Sequence, residues 1–197
     1  MEVITTNSTL SDFSNRYFTL GYKSIPKTYI PDDNFETYLE THTAAGALVS
    51  LGDTNSMGDG IANNDYVTTA NISGVIRINL QNLNIADLTG IEDFTALTYL
   101  DCSENYLTSL DVSNNTALDA LVCNNNSLTN LDVTNNPLLT ELYCGMNNLG
   151  LLDVSNNPLL THLYCEGTGL SSLDISNNNA LYKLICSFNT IGELDLT

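Results

Sequence analysis

The sequence predicts a solenoid: a flattened right-handed coil, mainly β, with a small α-helical cap at its N-terminal end. The first observation is a repeat of 21 residues from Leu97 onward, in LTYLDCSENYLTSLDVSNNTA, LDALVCNNNSLTNLDVTNNPL, LTELYCGMNNLGLLDVSNNPL, LTHLYCEGTGLSSLDISNNNA and the incomplete LYKLICSFNTIGELDLT. A fixed period of this size means stacked coils. The second is that each unit is nearly doubled, L-x-x-L-x-C-x-x-N-x being followed by L-x-x-L-D-V-S-x-N-x-x. Leu100 and Cys102 alternate with Tyr99, Asp101 and Ser103, as Leu110 and Val112 do with Ser109, Asp111 and Ser113. That is the period of a strand with one buried face, so parallel sheets are expected on both sides of the coil. The third is a stretch with helix signals just before the repeats, where a cap belongs.

Residues 1–28 show no sustained periodicity and hold Arg16, Lys23 and Lys27, three of the five basic residues. They read as an arm or linker, with Tyr17, Phe18 and Tyr22 as material for an added strand or latch. Residues 29–74 form the cap. In YIPDDNFETYLETH, Pro31 breaks the chain, Asp32 or Asp33 caps a helix, and Phe35, Tyr38 and Leu39 make one apolar stripe for packing on the first coil.

The following LGDTNSMGDGIANNDYVTTANIS brings Asp53, Asn55, Gly58, Asp59 and Asp65 close together. Their order is that of a calcium loop, D-x-[DN]-x-[DN]-G-x₅-E, and makes calcium a possible ligand. Aligned on Asp53, however, Met57 and Asn64 stand where two side-chain ligands are expected. Beside it stands a reading in which the glycines make turns and Asn64 caps a short helix through Val67.

Residues 75–197 form the solenoid, about six coils with the last incomplete. One coil cannot bury enough apolar surface to order itself, so stacking has to supply the rest. Asn105, Asn126, Asn147 and Asn189 recur at one turn, and Asn115, Asn136, Asn157 and Asn178 at the other. At such turns asparagine bonds the neighbouring backbone and tolerates the left-handed conformation. Thr168 interrupts the first column, and a looser turn is expected there.

These residues resemble the leucine-rich repeat, in the 21-residue nested form found in secreted proteins of the Bacteroidetes. The preceding VIRINLQNLNIADLTGIEDFTAL is similar to the 22-residue repeat of internalin-like proteins, with Val75, Ile78, Leu80, Ile85, Leu88, Ile91 and Phe94 at the apolar positions. Its Leu88-Thr89-Gly90-Ile91 is expected to form a tight turn or short 3₁₀ segment. The P-D-x-N-F-x-x-Y-L segment resembles the family's N-terminal cap. The resemblance implies a leucine-rich repeat solenoid that is secreted or displayed at the cell surface. The chain begins Met-Glu-Val-Ile-Thr-Thr, without the basic start and apolar core of a signal peptide. A removed leader is therefore the expectation.

A formal charge of −18, from 23 acidic against 5 basic residues, argues against nucleic acid and anionic membrane surfaces as partners. No apolar run is long enough for membrane insertion as a spanning helix. The five cysteines occupy a strand position that the sister strand fills with Val112, Val133, Val154, Ile175 and Leu196. They read as small core residues, since side chains in register on parallel strands point alike and not at each other. Catalysis finds no nucleophile with a base: Cys165 faces inward, and His42 and His162 lie far apart in the chain. No metal cofactor beyond the possible calcium is indicated, and the chain reads as a non-enzyme.

In the resembling family, outward positions of the first strand form the usual ligand face. The column Asn79, Asp101, Val122, Tyr143, Tyr164 and Ile185, the column Arg77, Tyr99, Ala120, Glu141, His162 and Lys183, and Glu166 in the column beyond them vary from coil to coil. Val122, Tyr143, Tyr164 and Ile185 make an apolar stripe about 15 Å long. They are the candidate contacts for a protein or glycan ligand, with adhesion as the resulting activity, although stacked tyrosines also serve simply to stabilise adjacent strands. A structural spacer or stalk is the rival function. The opposite face carries Asp111, Asp132, Asp153, Asp174 and Asp195, beside Ser113, Thr134, Ser155, Ser176 and Thr197, and reads as scaffold. Finally, Leu181, Leu184, Ile191, Leu194 and Leu196 form an uncapped last coil, for which either a continuing chain or end-to-end self-association is expected.

Overall fold

The computed structural model describes residues 24–192. The latch residues Tyr17, Phe18 and Tyr22, and Leu194 and Leu196 of the last coil, lie outside this range. Strand β1 (Lys27–Tyr29) pairs antiparallel with β2 (Tyr66–Thr68), enclosing helix α1 (Asp33–Thr41), and the four-residue α2 (Thr69–Ile72) leads into the coils. Lys27 and Thr28, placed in the arm by their sequence, thus belong to the cap.

Asp32 caps α1 as its position demands: Oδ1 accepts from the amides of Asn34 and Phe35 at 3.0 Å. Its Oδ2 accepts from Ala86 N–H at 2.8 Å, tying helix to first coil. Phe35 and Leu39 are fully buried, and Phe35 stacks on Phe94 of that coil with centroids 6.1 Å apart. The apolar stripe therefore does the packing assigned to it.

Two carboxylates on the same helix do what the sequence did not suggest. Glu36 and Glu40, one turn apart and both fully buried, turn toward the 58–65 loop. Glu36 accepts from Asn64 and Asp65 N–H at 3.0 and 3.2 Å, and Glu40 from Asp59 and Gly60 N–H at 2.6 and 2.9 Å. Gly58 is required here, because an added Cβ would overlap the Glu40 carboxylate. Desolvation pushes the Glu40 carboxyl up, against the lowering effect of those two amides. Residues 66–68 form strand β2 rather than the expected end of a short helix, and Asn64 Oδ1 accepts from Tyr66 N–H to turn the chain into it.

The solenoid sheet has six parallel strands in chain order: β3 (Arg77–Asn79), β4 (Tyr99–Asp101), β5 (Ala120–Val122), β6 (Glu141–Tyr143), β7 (His162–Tyr164) and β8 (Lys183–Ile185). Each pairs in register with the next, so residues 21 apart are neighbours from Tyr99 onward. Cys102, Cys123, Cys144 and Cys165 form one fully buried internal file, and all five thiols are free. Burial pushes the Cys165 thiol up to about 12, so these are inert core groups. Gly90, left-handed at φ 101°, precedes a 3₁₀ turn at Ile91–Asp93, as expected of the internalin-like coil.

The second half of each unit departs from expectation. No strand forms there among the described residues, so the solenoid carries one parallel sheet and not two. The backbone there is held by local turn bonds instead. Asp111 takes the Ser113 amide at 2.9 Å, and Asp132 and Asp153 repeat this with Thr134 and Ser155. Asn115 N–H bonds to Val112 C=O in the next turn, as Asn136 does to Val133. Coils are joined on this side by side chains: Asn136 Nδ2 donates to Val112 and Asn115 C=O of the preceding coil, both at 3.0 Å. Asn157 and Asn178 continue the file.

The other asparagine file is richer. Asn147 Nδ2 donates to Cys123 and Cys144 C=O at 3.0 Å, while its Oδ1 accepts from Leu128 N–H at 3.0 Å. The left-handed residue is the one before it: Glu104, Asn125, Met146, Gly167 and Phe188 have φ between 53° and 62°. Asparagine here is the bonding residue and its neighbour the strained one. Thr168 does not loosen its turn, since it is fully buried and Oγ1 donates to Cys165 C=O at 2.7 Å. What it lacks is a long enough side chain to reach the preceding coil.

Candidate ligand-binding face

Alternation along each three-residue strand sends Leu100, Leu121, Leu142 and Leu163 inward and their neighbours outward. The register then sets Asp101, Val122, Tyr143, Tyr164 and Ile185 side by side, and Tyr99, Ala120, Glu141, His162 and Lys183 in a second row. The predicted columns therefore form one surface.

Within it the residues play different parts. Tyr143 and Tyr164 stack with centroids 4.4 Å apart and planes inclined by 17°, each half-buried. Tyr143 Oη donates to Glu141 Oε2 at 3.3 Å. Desolvation, then the neighbouring Glu141 charge, pushes the Tyr143 phenol up to about 12. Val122 and Ile185 flank the pair, half-buried. His162 bonds Thr161 Oγ1 through Nδ1 at 2.9 Å and leans on Tyr182 at 6.0 Å.

Asp101 differs from its expected role. It is buried, and Oδ1 accepts from Ser103 N–H at 3.0 Å and Oγ at 2.6 Å. The carboxylate closes the turn after β4, so it is spent on the scaffold.

The sequence sets Arg77 and Lys183 in one outward column with Tyr99, but where their side chains rest is seen only in the structure. Arg77 sits 4.0 Å above the Tyr99 ring and Lys183 5.1 Å from that of Tyr164. Toward the cap the face opens into a groove of about 810 Å³ lined by Tyr38, Ala44, Gly46, Ile76, Arg77 and Tyr99.

The residues proposed for calcium are separated by their partners. Asp59 forms an ion pair with Lys27 at 2.7 Å, and Asp53 Oδ1 accepts from Asn55 N–H and Nδ2, both at 2.8 Å. Asp65 lies instead with Asp33 and Glu36, carboxylate oxygens within 4.8 Å of one another. The loop's backbone is held by Glu36 and Glu40, the work a cation's ligand cage would otherwise do.

No protein-family model matches the chain. Internalin J of Listeria monocytogenes serotype 4b (strain F2365) is 40% identical over 87 residues, which are 44% of this chain and 8% of that protein. Among solved structures, the functional domain of InlJ from Listeria monocytogenes, described as including a cysteine ladder, matches at 36% identity and a TM-score of 0.74, over 88% of this chain and 36% of that one. The internalin InlF of the same species (strain 4b F2365) matches at 27% and 0.59, over 61% of this chain and 36% of its own. A leucine-rich-repeat protein of Leptospira interrogans, at 22% and 0.56 over 60% and 32%, agrees in fold alone. The chain thus spans a small part of the curated relative and about a third of each solved one. By its register, its buried cysteine file and these likenesses, the fold is a leucine-rich-repeat solenoid similar to those of the internalins.

Proposed function

We propose that the chain is a non-catalytic recognition module of a secreted or surface-displayed protein, binding a protein or glycan ligand on the outward face of the parallel sheet. The observation that supports it is the stacked pair Tyr143–Tyr164, standing half-exposed in the middle of the face that varies most between otherwise monotonous coils. Tyrosine offers a large, stiff contact area with a polar tip, which suits recognition. The likeness to internalins supports the same reading. Calcium bound by the cap loop would stabilise the cap without changing this function.

The stack itself favours one rival, a spacer in which aromatic pairs only tie neighbouring strands together. The double variant Tyr143→Ala/Tyr164→Ala separates the two. Adhesion of the protein to cells or to an arrayed ligand is measured alongside the melting temperature. Lost adhesion with the melting temperature kept supports recognition, while lost stability with adhesion unchanged refutes it.

A further inference from the structure

Glu166 follows strand β7, two residues beyond Tyr164. Its side chain does not extend away from the sheet but folds back across the preceding coil onto Gly145. A Cβ at Gly145 would lie 2.6 Å from Glu166 Cδ and within 2.9 Å of both carboxylate oxygens. Glycine at 145 is what opens the niche. In it Glu166 Oε2 is buried and has no hydrogen-bond partner within the protein. A desolvated carboxylate oxygen without a donor is costly, and a partner that supplies one recovers that cost.

The surroundings say which donor fits. Glu141, Tyr143 and Gly145 are alternate residues of β6 and its extension, so they face the same way about 6.6 Å apart. Along this line lie the Glu141 carboxylate, the Tyr143 ring and the Glu166 carboxylate. Lys183 and Arg77 already rest on Tyr164 and Tyr99, so the row accepts cations over its rings, but among the described residues no cation rests on Tyr143. The one ion pair among the described residues is Lys27–Asp59, in the cap. The chain carries −18 overall, which attracts a basic partner.

We infer that the Glu141–Tyr143–Glu166 niche binds a cationic side chain, an arginine or lysine of an extended basic segment on a protein partner. The cation lies on the face of the Tyr143 ring turned away from Tyr164 and donates to the Glu166 carboxylate on one side and the Glu141 carboxylate on the other. This rests on the recognition reading above and gives the partner its chemistry: a basic polypeptide, in preference to a neutral glycan.

The probe is a synthetic peptide alternating arginine and glycine, with its citrulline form as the uncharged control. Binding is followed by amide chemical shifts and by calorimetry at low and physiological ionic strength. The arginine peptide is expected to saturate, shifting the amides of Tyr143, Gly145 and Tyr164, and the citrulline peptide to leave them in place. Glu166→Gln should weaken binding about tenfold, the loss of one charged partner. Gly145→Ala, which displaces the Glu166 carboxylate without removing it, should do the same. Asp153→Asn, which removes a charge on the opposite face, should leave binding within twofold. Equal binding by Glu166→Gln and wild type overturns the inference, as does an equal loss in Asp153→Asn, which signals attraction to net charge alone. If the arginine peptide does not bind while adhesion still depends on Tyr143 and Tyr164, the inference fails and the recognition module stands.

Discussion

Asn147→Ala tests what joins one coil to the next. The amide makes three well-formed bonds, two donated to Cys123 and Cys144 C=O and one accepted from Leu128 N–H, plus a longer one to Gly145 C=O at 3.3 Å. Removing it strands backbone groups in two coils at once. At about 1 kcal/mol net per bond, with buried groups left unpaired, the loss amounts to roughly 3–4 kcal/mol. Thr168 shows what a shorter side chain retains: a bond to Cys165 C=O within its own coil and a longer one to Asn189 Oδ1 of the next, but none to the preceding coil. Asn147→Thr should therefore keep the bond within its own coil and lose about 2 kcal/mol. The assay is equilibrium urea unfolding by circular dichroism and tyrosine fluorescence. Stability is compared only if both probes give one transition with an unchanged m-value. A cost below about 1 kcal/mol for the alanine variant would sink the idea that this file carries the stacking.

Three further outcomes follow. Thr168→Asn should stabilise by about 1 kcal/mol, because Nδ2 then reaches Cys144 C=O and Oδ1 meets Leu149 N–H, as in the other coils; an unchanged urea midpoint contradicts this. Gly90→Ala should cost about 3 kcal/mol or more, since the residue is left-handed and an added Cβ would overlap Ile30 Cδ1 and sit 2.7 Å from Tyr29 C=O; a thermal shift of only a degree or two refutes it. The third concerns pH. Asp111, Asp132 and Asp153 are held below the usual aspartate value by side-chain and backbone bonds from Ser113, Thr134 and Ser155, so their stabilisation is present above that value and lost as pH falls through the lowered one. Glu40 is raised by desolvation, so stability falls as pH rises from the usual glutamate value through its own. Together they place maximum stability on the acid side of neutral, and the triple variant Asp111→Asn/Asp132→Asn/Asp153→Asn should flatten the acid limb. An acid limb of unchanged slope in that variant counts against the assignment.

Much of the architecture was legible because a period is a one-dimensional signal with a three-dimensional consequence. Once residues 21 apart stack, the cysteine file, both asparagine files and the outward columns follow from counting. The second sheet was not legible in the same way. Asp111 and Ser113 fit outward strand positions, and Asp101 makes the same bond to Ser103 beside β4, so alternation does not separate the half that forms a strand from the half that turns. That bond also turns Asp101 back from the ligand face. In the cap loop, Asp53, Asp59 and Asp65 are close in sequence, but Asp53 bonds Asn55, Asp59 pairs with Lys27, and Asp65 lies beside Asp33 and Glu36.

The sequence by itself determined the stacking, the inward set and the list of variable positions, because all three depend only on spacing. The tertiary structure alone decided how side chains of different coils meet. The burial of Glu36 and Glu40 against loop amides 19 to 29 residues away, the cations resting on Tyr99 and Tyr164, and Glu166 folded over a glycine in the preceding coil are such meetings. Spacing fixes which backbone atoms are neighbours, but the direction of a long side chain depends on the room its neighbours leave, and no repeat pattern records that.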